Sequence, residues 1–225
     1  SLRASWPPVL PLAEARSRAV ALPVAAGFAV GSRPAWFARA PDGTSFGDPT
    51  VIENAIVETV RRAGRRCLHA ENWLWTSVFA LVFREAYFLP VAGMLPTPHR
   101  AGPIDLGSPT FYEKRRAFCD AQLSELEVLG LRPFAERWQG ERLDGLFRPE
   151  QVVEHAIDLP GPLLANILRP FLTFGWNVAR GLPDLLVLPG DDVRLVGAIP
   201  GSLPKSAFFA EIKGPTDALR DAQRL

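Results

Sequence analysis

Cysteine is scarce: Cys67 and Cys119 are the only two in 225 residues, and they form no C-x-x-C pair. Their scarcity excludes a disulfide framework or a zinc knuckle as the basis of the fold and fits a reducing interior. An excess of one charge is missing too, with 25 Lys and Arg against 24 Asp and Glu, a net of +1. Bulk charge therefore does not hold this chain to nucleic acid, and any such contact must come from local patches. Long apolar runs are absent: Trp73 to Leu89 is broken by Arg84 and Glu85 and is too short to span a bilayer. The opening SLRASWPPVLPLAEARSR lacks the apolar stretch of a signal peptide, and without an initial Met it reads as the start of a fragment. There is no Walker loop, no GxGxxG and no serine nucleophile elbow. The histidines His69, His99 and His155 show no metal-ligand spacing, and His69, two residues before Glu71, fits a structural role better than one of orienting that carboxylate. What remains, 48% hydrophobic and 22% charged, suits one globular domain or one domain with an extra lobe.

Residues 1–50 are rich in Pro, Ala and Gly and predict an irregular lead-in with one or two short strands or helices. Asp48-Pro49-Thr50 then opens VIENAIVETVRRAG, whose apolar positions Val51/Ile52, Ala55/Ile56 and Val60 recur at helical spacing, with Gly64 as the terminal cap. A second helix, crowded with Trp and Phe, runs from about Glu71 to Phe88 and stops before Pro90; its apolar surface predicts burial on several sides. Trp73, Trp75 and Phe79 fit that core better than a base-stacking platform. A Pro/Gly-rich loop over 90–108 leads to a long amphipathic helix from Ser108-Pro109-Thr110 to Gly130. Further helices are expected over 133–147, in PEQVVEHAIDLPG, and from Pro162 to Phe174 with an interruption at Pro170. The period then changes to that of strands in GLPDLLVLPG, VRLVGAI and AFFAEIKG. Helices, a small sheet and a last helix together suit an α/β or α+β core.

The last strand carries an anomaly, because Glu211 and Lys213 interrupt its apolar run. Residues two apart share a face, so these two project together while Ala210 and Ile212 turn toward a core. Asp184 lies in the preceding strong strand, and pairing of the two strands would gather Asp184, Glu211 and Lys213 at one sheet end. Two carboxylates there form a hard-oxygen site for Mg²⁺ or Mn²⁺, to which the Ile212 carbonyl can add a ligand. Taken alone, Glu211 and Lys213 are more often an exposed ion pair worth about 0–1 kcal/mol, and Asp184 more often a turn or strand-end residue; the joint pattern shifts the balance. Basic side chains cluster as Arg61, Arg62, Arg65 and Arg66 and again as Lys114, Arg115 and Arg116, with Arg180 just before GLPD and Arg220 near the end. The first two clusters fit either phosphate contacts or a solvated helix face, Arg180 is better placed because it adjoins the strand of Asp184, and Arg220 is a weaker candidate.

GLPD (181–184) with EIKGPTDALRDAQ (211–223) resembles the VRR-NUC form of the PD-(D/E)XK nucleases, and in particular the Fanconi-associated nuclease family of DNA repair enzymes. HAENWLWTSVFALVF (69–83) is similar to the family's H-x-E segment at the head of a buried helix. IDLGSPTFYEKRR, VIENAIVETVRRAG and SRPAWFARAPDGT extend the likeness over about residues 20–225.

The resemblance implies a restriction-endonuclease-like α/β core, with a small central mixed sheet flanked by helices and a helical N-terminal part. It implies a lead-in over 1–50 and a VRR-NUC-type domain over 51–225 that lacks the family's further strand and helix. Glu71, Asp184 and Glu211 would hold Mg²⁺ or Mn²⁺ with the Ile212 carbonyl, Lys213 would be the catalytic lysine, and Gln223 would face the site. A Glu in a first helical turn is also favoured by the helix dipole without any catalysis, and Glu71 gains its role only beside GLPD and EIKGP. Arg180, Arg220, Lys114, Arg115 and Arg116 would contact DNA. The implied activity is a 5′ flap endonuclease and 5′–3′ exonuclease, a phosphodiesterase I-type hydrolase acting on branched DNA in interstrand-crosslink repair. The implied setting is the bacterial nucleoid or the eukaryotic nucleus, with no membrane partner. Another VRR-NUC nuclease, such as a Holliday-junction resolvase, and a non-catalytic DNA-binding domain are the alternatives. The connection from Leu188 to Phe208 is longer than the family's hairpin and is expected to form an extra strand or flap.

Overall fold

The computed structural model describes residues 25–30, 33–39, 44–70, 73–94, 102–138, 154, 156–188, 190, 208–210 and 212. They form two compact units, one built from the chain up to Glu71 and from Gly181 onward, the other from Asn72 to Arg180.

The first unit opens with strands β1 (Ala25–Val30), β2 (Arg33–Arg39) and β3 (Ser45–Thr50), an antiparallel sheet in that order. Three strands thus occupy a stretch whose composition suggests an irregular lead-in. The register explains the disguise. Trp36 pairs with Thr50 but Ala38 pairs with Phe46, so β3 spends extra residues in a bulge. Gly47, at φ 74°, supplies the left-handed turn that a side chain resists, and Pro49 sits where no ladder amide is needed.

Helix α1 (Ile52–Arg62) follows and packs against β2. It ends in a Schellman motif: the Arg65 amide donates to the Val60 carbonyl at 3.1 Å and the Gly64 amide to the Arg61 carbonyl at 2.9 Å, with Gly64 at φ 90°. Strand β4 (Cys67–His69) then pairs with β5 (Leu185–Val187), which in turn pairs with β6 (Phe208–Ala210). Both pairings are antiparallel, so among the described strands the expected mixed sheet is replaced by an antiparallel one. Ile56, Val57 and Val60 of α1 bury against Cys67, Leu185, Val187 and Ile212, which makes one core behind this second sheet. The 193–199 strand expected from the sequence lies outside the described residues.

The second unit is helical: α2 (Trp73–Tyr87), α3 (Pro109–Leu129), α4 (Arg132–Arg137) and α5 (Gly161–Phe174). A 3-10 turn over Trp176–Gly181 then leads back to β5. Phe79 of α2 is at its centre, with ring centroids of Phe83 at 4.7 Å, Phe111 at 6.0 Å, Phe171 at 6.2 Å and Trp176 at 6.4 Å. Such offset and edge-on pairs add to area burial. Helix α5 runs through Pro170 without the expected interruption. The proline forgoes one amide bond, and the burial of Leu168, Phe171 and Leu172 around it holds the helix. Gly161 brings the start of α5 against the Leu126 carbonyl at the end of α3, where a Cβ has no room. Of the expected helices, 133–147 is described only to Trp138, through α4, while in 149–161 Glu154 and Ala156 are helical and residues 157–160 turn into α5.

Arg115 shapes this unit. Its Nε donates to the Ala86 carbonyl at 2.9 Å, and its Nη1 to Asp105 Oδ2 at 2.8 Å and to the Phe111 carbonyl at 3.2 Å. The guanidinium also stacks over the Phe111 ring at 4.5 Å. The side chain thus gathers the end of α2, the loop before α3 and α3 itself, which departs from helical geometry at Arg115 (φ −127°, ψ 18°). Arg115→Met, which leaves Asp105 buried without its cation, is expected to cost about 3–5 kcal/mol, read as a lower midpoint of urea unfolding with an unchanged slope.

Candidate active site

Strand β5 is three apolar residues, Leu-Leu-Val, each at most 1% exposed. Its neighbours stand in one register: Leu185 opposite His69 on one side and Ala210 on the other, Val187 opposite Cys67 and Phe208. Asp184 immediately precedes this strand. Its backbone carbonyl accepts the Ala70 amide at 2.7 Å, extending the β4 ladder by one step. Its side chain serves the other neighbour, with Oδ2 accepting the Ile212 amide at 2.7 Å. One residue thus fixes the amide just before Glu71 and the amide between Glu211 and Lys213.

Ile212 itself is buried in the core formed with Leu185 and Val187, and Ala210 packs at the edge of that core. The alternation read from FFAEIKG is therefore present on its apolar side. At the opposite end of β5 the Leu188 amide donates to the Arg66 carbonyl at 2.9 Å, and Arg65 donates from Nε (3.1 Å) and Nη2 to the Leu188 carbonyl. Arg65 is 2% exposed and lies against Gly190, where a Cβ would meet its Cδ at 2.8 Å. The spacing of RRAGRR suggests a basic patch; the fold turns Arg65 inward as a strand clamp instead. Arg61 is committed in part as well, its Nε donating to the Cys67 carbonyl at 3.1 Å.

The remaining expected site residues divide as follows. Glu71, Glu211, Lys213, Gln223 and Arg220 lie outside the described residues, as does the side chain of Arg180. Lys114 and Arg116 are exposed on α3, Arg116 over the Tyr112 ring at 5.2 Å. Arg115, expected to contact DNA, is corrected: at 3% exposure and bound to Asp105, its guanidinium is not available to a phosphate. The IDLGSPTFYEKRR motif is in this respect structural. Asp105 holds Arg115, the Ser108 hydroxyl donates to the Asp105 carbonyl at 2.7 Å, and Gly107 leaves room for the Trp176 ring. The sequence signal that Arg115 turns inward is its place on the helical stripe of Phe111, Cys119 and Leu123, all of them buried.

Among the described residues no three His, Cys, Asp or Glu side chains converge on a cation site, with Glu71 and Glu211 outside that set. Asp184 fits such a site. It is half-buried, Oδ2 is anchored by a backbone amide, and Oδ1 accepts no hydrogen bond among the described residues. A carboxylate held at one oxygen and open at the other is the donor a hard divalent ion prefers.

No family model matches the chain. A Fanconi-associated nuclease 1 homolog of Pseudomonas aeruginosa is 30% identical over 185 residues, covering 78% of this chain and 31% of that protein. The rice homolog of the same name is 27% identical over 169 residues, 72% of this chain and 17% of its own length. A crystal structure of paFAN1 bound to a 1-nucleotide 5′ flap DNA with a gap superposes with a TM-score of 0.59 at 27% identity, over 80% of this chain and 32% of that one. The complex with a 2-nucleotide flap gives a TM-score of 0.61 at 26% identity, over 83% and 33%. The chain therefore spans a third or less of the length of these relatives. Small antiparallel sheet and helices together have the α/β fold of a nuclease seen bound to DNA. Over the part it shares with them, the chain is similar to Fanconi-associated nucleases in both sequence and fold.

Beneath the candidate site, burial pushes the Cys67 thiol up to about 12, against the lowering pull of Arg61 and Arg65. Burial likewise raises Cys119 to about 12. A thiol with a raised pKa stays protonated and unreactive at neutral pH. Iodoacetamide at pH 8 is expected to leave both unlabelled in native buffer and to label both in urea; rapid labelling of the native protein would contradict their placement.

Proposed function

We propose that this chain carries the catalytic centre of a divalent-metal-dependent, structure-selective DNA nuclease that hydrolyses phosphodiesters at 5′ flaps, as an endonuclease and a 5′–3′ exonuclease. The observation that carries this reading is the double hydrogen bonding of Asp184, which ties together the chain beside Glu71 and the chain between Glu211 and Lys213. The likeness to Fanconi-associated nucleases and the paFAN1 complexes with flap DNA support DNA as the substrate. Interstrand-crosslink repair is the setting we assign to the activity.

In this reading Glu71, Asp184 and Glu211, with the Ile212 carbonyl, hold Mg²⁺ or Mn²⁺. The ion supplies a lowered pKa for its water and neutralises charge on the phosphoryl group. Lys213 donates to the scissile phosphate and offsets the negative charge that grows on it as the water oxygen bonds to phosphorus and the ester oxygen leaves, taking up the proton that the water gives up. Gln223, from the segment after Lys213, orients the attacking water. Asp184 keeps its carboxylate aimed while one of its oxygens stays bonded to the Ile212 amide. Arg180, Arg220, Lys114 and Arg116 neutralise backbone phosphates of the bound DNA.

The test is cleavage of an end-labelled 5′ flap by the protein with its natural flanking sequence. Mn²⁺-dependent cutting is expected, abolished by EDTA and restored by added ion. Asp184→Ala and Lys213→Ala are each expected to lower the rate at least about 100-fold, and retained cutting by either variant overturns these roles. Four-way junctions cut in preference to flaps would identify a resolvase instead. In binding titrations without metal, Lys114→Ala and Arg116→Ala should each reduce the salt slope of log K by about 0.9.

A further inference from the structure

Backbone groups in an antiparallel pair point alternately to the left and right neighbour. At Asp184 the main chain is committed to one side, its carbonyl accepting the Ala70 amide beside β4. Toward β6 the paired ladder runs from Val187–Phe208 to Leu185–Ala210, and the next contact on that side, from the Ile212 amide, is to Asp184 Oδ2 and not to a backbone carbonyl. The side chain therefore completes a ladder that the main chain leaves open. Its geometry is that of a strong bond, since 2.7 Å from an amide nitrogen to a carboxylate oxygen is in the short, charge-assisted range. Ile212 is also locked from the other direction, its side chain buried against Leu185 and Val187. Amide and side chain together fix this peptide in position and rotation.

We infer that Asp184 is a positioning residue in addition to a ligand: its carboxylate sets the backbone between Glu211 and Lys213 before any ion binds. That this presets a cation site rests on the nuclease reading above; the pin itself rests on the hydrogen bond. One carboxylate then does two separable jobs, holding the Ile212 amide through Oδ2 and leaving Oδ1 for the ion.

Two nearly isosteric variants separate the jobs. Asp184→Asn keeps a side-chain oxygen acceptor and loses the charge, whereas Asp184→Leu keeps the size and loses the acceptor. Hydrogen exchange of the metal-free protein, in EDTA and with its natural flanks, reads the Ile212 amide. The Arg65 amide, bonded to the Val60 carbonyl at 3.1 Å, serves as a control in the same unit. Expected are a loss of Ile212 protection of about 10- to 100-fold in Asp184→Leu and of only a few-fold in Asp184→Asn, with Arg65 unchanged in both. If Asp184→Leu also exposes the control amide, Asp184→Ala is the acceptor-free variant that decides. Ile212 protection equal to the parent's in the acceptor-free variant overturns the proposal, as does an Asn variant that loses as much as the Leu variant. Neither ion nor DNA is needed, so a protein that shows this pattern yet cuts no DNA retains the pin and loses the nuclease reading.

Discussion

The hydrogen bond from the Ile212 amide to the Asp184 carboxylate, 2.7 Å long, is the constraint on which the candidate site depends. Sheets bring strands together through main-chain groups, but at the end of a ladder each residue has groups for only one neighbour. Asp184 escapes that limit because its side chain reaches the second neighbour while its carbonyl serves the first. The strand behind it makes the geometry stiff. Leu185, Leu186 and Val187 are buried almost completely, each worth about 1.5–3 kcal/mol of transfer free energy. A carboxylate tethered to so buried a strand has little freedom to turn away, which is what a charged ligand group needs if it is to meet an ion without reorganising.

Two interior arginines show the same logic applied to stability. Arg65 and Arg115 are 2% and 3% exposed, and an unpaired cation at either place would be expensive. Both spend their planar, many-donor head groups on backbone carbonyls: Arg65 on Leu188, Arg115 on Ala86 and Phe111, with Asp105 balancing the second. Lysine, a point donor, would not span those acceptors. The cost is that neither side chain remains for an external anion, which leaves Lys114 and Arg116 to face solvent on α3.

Legibility followed the length of each pattern. The helices around Ile56, Phe79 and Leu123 carry several turns of apolar repeats, and they stand where those repeats place them. The apolar alternation of Ala210 and Ile212 likewise matched the buried core, because period two leaves a strand no other way to face it. The β1–β3 sheet stayed hidden because a bulge at Gly47 and Pro49 looks like a turn until a partner strand is known. Arg65 and Arg115 were read as surface charge for a related reason. Local sequence reports that a residue is cationic, and only the tertiary carbonyls around it reveal that it is held inside.

The clamp at Leu188 sets where β5 ends. Arg65 and the Arg66 carbonyl hold both polar groups of that residue, so β5 reaches a fixed endpoint before the connection to Phe208 begins. The clamp also reaches past the strand, because Arg65 occupies the space that a side chain at Gly190 would need. A change at either residue therefore acts on the same end of β5, and the two positions are coupled although they lie far apart in the chain.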